Sequence, residues 1–300
     1  MHVDIYLVLA SAVVGLLVGI TGMGGGALMT PMLVLLFGVA PSAAISADLI
    51  ATLFIKPWGV LVHWRRHTIQ RDVVTWLCVG SLPAAFLGTY VMHRMGHSPV
   101  AERQLQVLLG VALVAGASAM IIRSRSAQRK VTANQPLKVR VMATIAVGVG
   151  GGFLVGLTSV GAGSLMLVLL MLLYPGLRSD QLAGTDLAQS VPLTLGASAG
   201  TLLFGHVAFA LTASIVAGGV PAVIVGSLLS SRFTGPRLRH VMTALVMLSG
   251  LKYLGLPVST LAVFSLVVLT VVGVGSLRSR HAASGDLVEI DRRSVEQRAR

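Results

Sequence analysis

Four glycines stand within five positions, at Gly22, Gly24, Gly25 and Gly26, inside the otherwise apolar stretch 15–31. Each glycine in a helix interior costs about 1 kcal/mol relative to alanine, so the stretch is predicted to break a helix. Broken backbone at membrane depth must be buried in protein or line a cavity, because lipid cannot satisfy free N–H and C=O groups. The cluster therefore predicts a ligand site where backbone N–H groups and a positive helix end favour a small oxyanion.

The alternative is that these glycines only allow helices to pack closely, as small residues at a four-residue spacing do. That interpretation suits Gly15 and Gly19. Four glycines in five positions exceed what packing requires, and a broken-helix site is favoured.

The second half of the chain repeats this pattern. Positions 15–21 align with positions 152–158, a difference of 137 (158 against 21), and after one inserted residue Asp48 aligns with Asp186. Such an internal duplication is typical of transporters built from two related halves. Hydroxyl residues accompany both glycine clusters and would add donors. The predicted anion site comprises Thr21, Gly22, Gly24, Gly25, Gly26, Lys56, Thr158, Ser159, Gly161, Gly163 and Ser164.

Three charged residues, Asp48, Lys56 and Asp186, fall within or at the edge of apolar spans. A charged residue in mid-span costs about 2.5–3.5 kcal/mol on insertion scales and marks a functional candidate. Lys56 is expected to face the anion, while Asp48 or Asp186 carries a coupled proton. In the alternative interpretation Lys56 and a carboxylate only neutralise each other inside the bundle, or the carboxylates favour the starts of their helices.

The composition is that of a polytopic helical membrane protein. Mean hydropathy is +0.86, 55% of residues are hydrophobic and 11% are charged. The net charge of +13 does not indicate nucleic-acid binding, because the basic residues lie between apolar runs and orient the chain in the bilayer. The sequence contains no nucleotide-binding loop and no hydrolase or metalloprotease motif, and the single cysteine, Cys78, suggests neither a disulfide nor a metal site. We therefore expect no enzymatic activity, no cofactor and no metal.

Charge placement predicts the topology. The positive-inside rule is obeyed throughout if the run 149–174 enters and leaves the membrane on one side. Each arm of that run has about a dozen residues and would reach about 18 Å, which suits a hairpin ending near the midplane. We predict two inverted repeats, each a glycine-broken, re-entrant helix pair followed by three transmembrane helices, with one additional C-terminal helix. The segments are the first repeat (1–122), a basic cytoplasmic linker (123–140), the second repeat (141–256), the additional transmembrane helix (257–275) and a polar cytoplasmic tail (276–300).

The motifs GITGMGGGALMTPML and APSAAISADL in the first half, and GLTSVGAGSLM and YPGLRSDQLAGTDLA in the second, resemble the sulfite exporter TauE/SafE family. The resemblance implies a multi-pass protein of the plasma or inner membrane that transports sulfur-containing anions such as sulfite and sulfoacetate. The two glycine clusters differ chemically, since Ser159 and Ala162 stand where the first half has Gly22 and Gly25.

The resulting hypothesis is a secondary transporter that exports a small sulfur-containing anion by alternating access. One alternative is a membrane-embedded anion sensor or assembly factor without net flux. Another is a proton-coupled cation carrier, with Asp48 and Asp186 as ligands. The expected partners are a small anionic substrate and the lipid bilayer, with a homodimer as one option for assembly and no nucleic acid.

Overall fold

The computed structural model describes residues 4–21, 25–65, 67–95, 98–126, 139–161, 163, 165–205, 207–233 and 236–256. The regular elements in these ranges are ten helices. The additional helix expected at 257–275, the tail at 276–300 and most of the linker at 123–140 lie outside the described residues. The helices are α1 (Ile5–Thr21), α2 (Gly26–Phe37), α3 (Pro41–Arg65), α4 (Arg71–Arg94), α5 (Pro99–Ser126), α6 (Val141–Thr158), α7 (Leu165–Leu173), α8 (Ser179–Phe204), α9 (Phe209–Phe233) and α10 (Pro236–Tyr253).

Six of these helices are long and apolar enough to cross a membrane. A span needs about 20 predominantly apolar residues, and each of the six provides at least 18. This confirms the prediction of a helical multi-pass membrane protein. The segments that meet this criterion of length and composition are Pro41–Leu61, Arg71–Arg94, Pro99–Ile121, Val141–Thr158, Asp180–Phe204 and Phe209–Leu229.

Each half contains one break between two helices where the glycine clusters predict it. In the second half α6 ends at Thr158, and the backbone turns through left-handed conformations at Ser159 (φ 57°), Gly161 (φ 120°) and Gly163 (φ 96°). Glycine adopts such conformations without a steric penalty, which explains its use here. In the first half the described residue next to the break is Gly25, whose carbonyl accepts the first hydrogen bonds of α2.

The two arms of the second half fold back on each other. Tyr174 follows α7 directly, and its hydroxyl accepts a hydrogen bond from the backbone N–H of Arg140 (3.1 Å) and is hydrogen-bonded to Thr144 in the first turn of α6. The start of α6 and the end of α7 therefore lie side by side, so α6 and α7 form a hairpin.

The arms of this hairpin are unequal, and the expectation of two arms of about a dozen residues is wrong. Helix α6 has 18 residues and begins at Val141 rather than near position 149, whereas α7 has 9. The physical reason is that positions 141–148 contain no proline and no charged residue, so nothing stops the helix from starting directly after Arg140.

The N-terminal parts of the short helices α2 and α7 are buried, whereas Leu36 and Leu172 near their C-terminal ends are exposed. Met29 and Leu33 of α2 and Met166 and Leu170 of α7 are fully buried in apolar clusters. Helices too short to span a bilayer must be surrounded by protein where their ends leave backbone groups unpaired. The burial of both is therefore what a broken helix in a membrane requires.

Helix α1 packs closely against α9 of the other half. A Cβ at Gly15 would lie 2.7 Å from the carbonyl oxygen of Gly219, and one at Gly19 would lie 2.5 Å from that of Val223. Because the residue numbers of the contacting positions increase together along both helices, α1 and α9 run in the same direction. Small residues allow this approach, and dispersion between the closely packed backbones stabilises it in lipid.

Helix α4 packs against α6 in the same way. Gly148 faces the carbonyl of Leu77 and Gly156 faces the carbonyl of Ala85, so these helices are also parallel. In the sequence repeat α1 corresponds to α6 and α9 corresponds to α4. The two closest helix pairs of the structure are therefore counterparts of each other.

Counterpart helices also contact each other across the halves. The hydroxyl of Ser198 in α8 donates to the carbonyl of Leu49 in α3 (3.0 Å), while Leu187 approaches Gly59 (3.9 Å to a Cβ built there). The residue numbers of the contacting positions rise along α3 as they fall along α8, so α3 and α8 cross in opposite directions.

The pair α5 and α10 shows the same relation. The Thr243 hydroxyl donates to the sulfur of Met120 (3.7 Å), Gly250 faces Gly110, and Gly255 approaches Arg103. These helices too are counterparts in the repeat and run antiparallel.

Replacing Gly156 by alanine tests the close packing of α4 and α6. The added methyl group would overlap the Ala85 carbonyl, and overpacking of this kind costs about 1–3 kcal/mol. We expect the midpoint of thermal unfolding in detergent to fall clearly.

The matched control is Gly150→Ala, because Gly150 lies in the same helix with nothing within 4 Å of its added Cβ. This change should be neutral or slightly stabilising, since alanine favours a helix over glycine. Equal unfolding midpoints for the two variants would contradict the packing described.

Candidate functional site

The two helix breaks, one from each half, adjoin each other. Gly26 is the first residue of α2, and a Cβ placed on it would overlap the carbonyl of Ser159, the residue that follows α6. The same Cβ would lie 3.0 Å from Oδ2 of Asp48 on α3. Only glycine at this position leaves room for both neighbours. The N-terminus of α2 therefore lies beside a carboxylate, which its positive end stabilises.

Asp48 is fully buried, and it receives hydrogen bonds from both halves of the chain. Its Oδ2 accepts from the hydroxyl of Thr30 in α2 (3.1 Å) and from the hydroxyl of Ser159. Its Oδ1 is buried without a hydrogen-bond partner in the described part of the chain. A buried acceptor without a hydrogen-bond donor costs free energy.

Lys56 lies on the same face of α3 as Asp48, two turns further along, with Thr52 between them. Thr52 is next to Gly25, the residue that precedes α2. Lys56 therefore lies about one turn of α3 beyond the level at which α2 starts. The lysine is only 7% exposed, and both Asp48 and Asp186 act on its ammonium group electrostatically. Two carboxylates thus lie within electrostatic range of one buried positive charge.

Among the described residues, Asp48, Lys56 and Asp186 are the charged side chains that are buried. Asp186, on α8, accepts a hydrogen bond from the side-chain amide of Gln189 (3.3 Å). The oxygen of that amide accepts from the Ser81 hydroxyl of α4 (3.2 Å). Asp186 is therefore connected to α4 by a chain of polar groups.

Buried hydroxyl and amide residues line the crossing of α3 and α8, and most were missed by the sequence analysis. For Thr52, Ser190, Thr194 and Ser198 the available signal was a four-residue spacing from an aspartate inside an apolar span, which places polar residues on one face of a helix. The missed residues are Thr30, Thr52, Ser81, Gln189, Ser190, Thr194 and Ser198.

The predicted threonine donors are engaged within their own helices. The hydroxyl of Thr21 donates to the carbonyl of Leu17 and that of Thr158 donates to the carbonyl of Leu154, both at 2.7 Å. In this conformation neither proton points to a ligand. Gly161 and Gly163 lie in the break before α7. The predicted residues Gly22, Gly24 and Ser164 lie outside the described residues, and those that the structure brings together are Gly25, Gly26, Asp48, Lys56 and Ser159.

The two aspartates have unequal surroundings although they are counterparts in the repeat. The repeat counterparts of Thr30 and Ser159 are Leu167 and Gly22, which carry no hydroxyl. Asp186 receives an amide hydrogen bond from Gln189 instead. The site is thus asymmetric, as the differences between the two glycine motifs predict.

The profile of a family described as "Sulfite exporter TauE/SafE" matches residues 7–253. The chain belongs to the sulfite exporter TauE/SafE family. The matched region contains all ten helices except the first two residues of α1. The resemblance seen in the glycine motifs is therefore confirmed over nearly the whole described structure.

Relatives of known sequence carry names that indicate membrane transport. A "Probable membrane transporter protein YjnA" of Bacillus subtilis (strain 168) is 37% identical over 254 residues, which cover 83% of this chain and 99% of the relative. A "Probable membrane transporter protein" of Xylella fastidiosa (strain 9a5c) is 25% identical over 230 residues, 76% of this chain and 85% of the relative. No solved structure matches the chain significantly.

Replacing Ser159 by alanine tests the hydrogen bond that joins the halves at Asp48. The buried carboxylate would lose one of its two hydroxyl donors, which costs about 1–3 kcal/mol. Thermal unfolding in detergent should show a lowered midpoint.

The control is Ser214→Ala in α9, because the hydroxyl of Ser214 is also buried but donates to the Ala210 carbonyl of its own helix. Its removal should have a much smaller effect. A Ser159 variant as stable as the Ser214 variant would show that the contact with Asp48 contributes nothing.

Proposed function

We propose that this protein is a secondary transporter that exports a small sulfur-containing anion, such as sulfite, sulfoacetate or a similar sulfonate, by alternating access. Membership of the TauE/SafE family and the names of the relatives support membrane transport. The observation that carries the choice of an anion is the buried ammonium of Lys56, one turn past the glycine-lined start of α2. A buried charge in a membrane bundle is retained where a substrate or ion uses it.

The anion would bind where the two helix breaks adjoin. Backbone N–H groups at the start of α2 and in the left-handed turn after α6 suit an oxyanion, because glycine lets it approach and the helix end is positive. Lys56 supplies the full positive charge. The proposed binding residues are those predicted from sequence, namely Thr21, Gly22, Gly24, Gly25, Gly26, Lys56, Thr158, Ser159, Gly161, Gly163 and Ser164, with Asp48 and Asp186 as candidates for proton coupling. Thr21 and Thr158 would donate to the anion only after their hydroxyls turn away from the carbonyls of their own helices.

Alternating access would follow from two inverted repeats that rock about this site. Three features support the inversion. The counterpart helices α3 and α8 cross in opposite directions, as do α5 and α10. The remaining close pairs, α1 with α9 and α4 with α6, are parallel. The hairpin of α6 and α7 supports a segment that enters and leaves the membrane on one side.

The membrane potential is a sufficient driving force for export. An inside-negative potential expels an anion with about 2.3 kcal/mol per charge for each 100 mV. An inside-negative potential therefore favours outward movement of the anion. We place the protein in the plasma or inner membrane. No catalytic residue is needed for this function, and none is proposed.

Replacing Lys56 by methionine tests the anion site while keeping most of the side-chain volume. A hydrogen bond to a charged group is worth about 1.5–3 kcal/mol, so transport of labelled sulfite and sulfoacetate into proteoliposomes should fall by about tenfold to a hundredfold. The control is Lys252→Met, at the exposed end of α10, which should transport like the unmodified protein.

The same measurement separates the alternatives. Binding of the anions without flux would favour a sensor or assembly factor. Flux of a monovalent cation that ignores sulfite would favour a cation carrier built on Asp48 and Asp186. Unchanged anion flux in the Lys56 variant would remove this residue from the site.

A further inference from the structure

The charge balance around Lys56 connects anion binding to a proton. Asp48 and Asp186 both act on the single ammonium, and the described part of the chain buries no other charged side chain with them. A bound anion would compete with both carboxylates for that ammonium. Asp48 lies beside the start of α2, where the anion would bind, and two adjacent negative groups in a region of low dielectric are unfavourable unless the carboxylate takes up a proton.

The hydrogen bonds distinguish the two carboxylates. Asp186 accepts from the amide of Gln189, itself connected to Ser81. Asp48 has both hydroxyl donors on Oδ2, and its Oδ1 is buried without a partner among the described residues. A proton on Oδ1 would neutralise the buried carboxylate without breaking either hydroxyl hydrogen bond, because both end on Oδ2. Asp48 can thus gain a proton when an anion binds, without any rearrangement of its hydroxyl donors.

We propose that anion binding at Lys56 is coupled to protonation of Asp48, and not of Asp186, so that one proton accompanies each anion and a dianion such as sulfoacetate still moves with one net negative charge, on which the membrane potential acts. This inference rests on the proposed function, because it requires the anion to bind beside Lys56. Asp186 then remains the counter-ion of the lysine while the substrate is bound. The two halves contribute the same residue type at this position but give it different roles.

Few other charges can influence Asp48. Of the helices packed against α3, α2 and α6 carry no titratable residue, and α9 carries none before Arg232. Helix α8 contributes Asp186. Helix α5 contributes Glu102, which is bound to Ser42 in the first turn of α3, about 9 Å along the axis from Asp48. On α3 itself the facing charge is Lys56.

The ligand is a proton rather than a metal ion. The hydroxyls of Thr30 and Ser159 turn their hydrogens toward Asp48, whereas a metal ion would need their oxygens. The other nearby groups are an ammonium and a helix N-terminus, which both repel a cation. Cations such as Ca²⁺ and Mg²⁺ require about six oxygen ligands, and the described residues offer a single open carboxylate oxygen here.

Proton uptake on anion binding is the direct test. The purified full-length chain in weakly buffered detergent solution is titrated with sulfoacetate, whose carboxyl group, with a pKa of about 4, stays ionised at neutral pH. The unmodified protein should take up about one proton per bound anion. In the pH range where Asp48 is charged before binding, the Kd for sulfoacetate should rise about tenfold for each unit by which the pH is raised.

The counterpart variants identify the carboxylate. Asp48→Asn should bind sulfoacetate without proton uptake and without this pH dependence, because the amide imitates the protonated acid. A change in the affinity of Asp186→Asn for sulfoacetate is compatible with the proposal, but this variant should still take up a proton when sulfoacetate binds. Asp180→Asn, at an exposed ion pair with Arg178, should behave like the unmodified protein.

An infrared difference spectrum keeps the test decisive if Asp48→Asn does not fold. Adding sulfoacetate or sulfite to the unmodified protein should produce a protonated-carboxyl band, and Asp186→Asn should retain it. Loss of the band in Asp186→Asn, its absence in the unmodified protein with bound anion, or proton uptake that persists in Asp48→Asn would each overturn the proposal. An unmodified protein that neither binds nor transports sulfoacetate or sulfite would instead overturn the proposed function and this inference with it.

Discussion

The structure depends on how a carboxylate can be kept inside an apolar bundle. Asp48 is fully buried, and it is stabilised by hydroxyls from α2 and from the end of α6, by the positive end of α2 and by the charge of Lys56. Each of these interactions depends on a local feature of the chain. Helix α2 must start at this depth, Ser159 must leave α6 in a left-handed conformation, and Gly26 must lack a side chain. The breaks and the buried charge therefore explain each other.

Close packing of glycines positions this site. The pairs α1 with α9 and α4 with α6 approach at Gly15, Gly19, Gly148 and Gly156, where a single methyl group would meet backbone atoms of the neighbour. Such contacts fix the relative height of two helices to within a fraction of a turn. Since each pair joins one half to the other, the same contacts determine that the N-terminus of α2 arrives beside Ser159. Packing and chemistry are thus connected through residues that carry no functional group.

The sequence predicted some features better than others, for identifiable reasons. The breaks after Thr21 and Thr158 were predictable, because clustered glycines and internal duplication are local signals. The early start of α6 at Val141 was not, because an apolar helix gives no sign of how far it extends beyond a glycine-rich tip. The threonine hydroxyls were expected to face a ligand. They donate to their own helices instead, since a carbonyl four residues earlier is always within reach of a threonine in a helix.

By itself the sequence determined that this is a helical membrane protein of two related halves, where its helices break, and which charged residues lie in the spans. Hydropathy, glycine content and repetition along the chain carry that information. Only the tertiary structure decided that the two aspartates differ. Ser159 lies 111 positions from Asp48, and periodicity within one helix cannot report a partner on another. Which carboxylate oxygen stays open is therefore settled where α2, α3 and α6 meet.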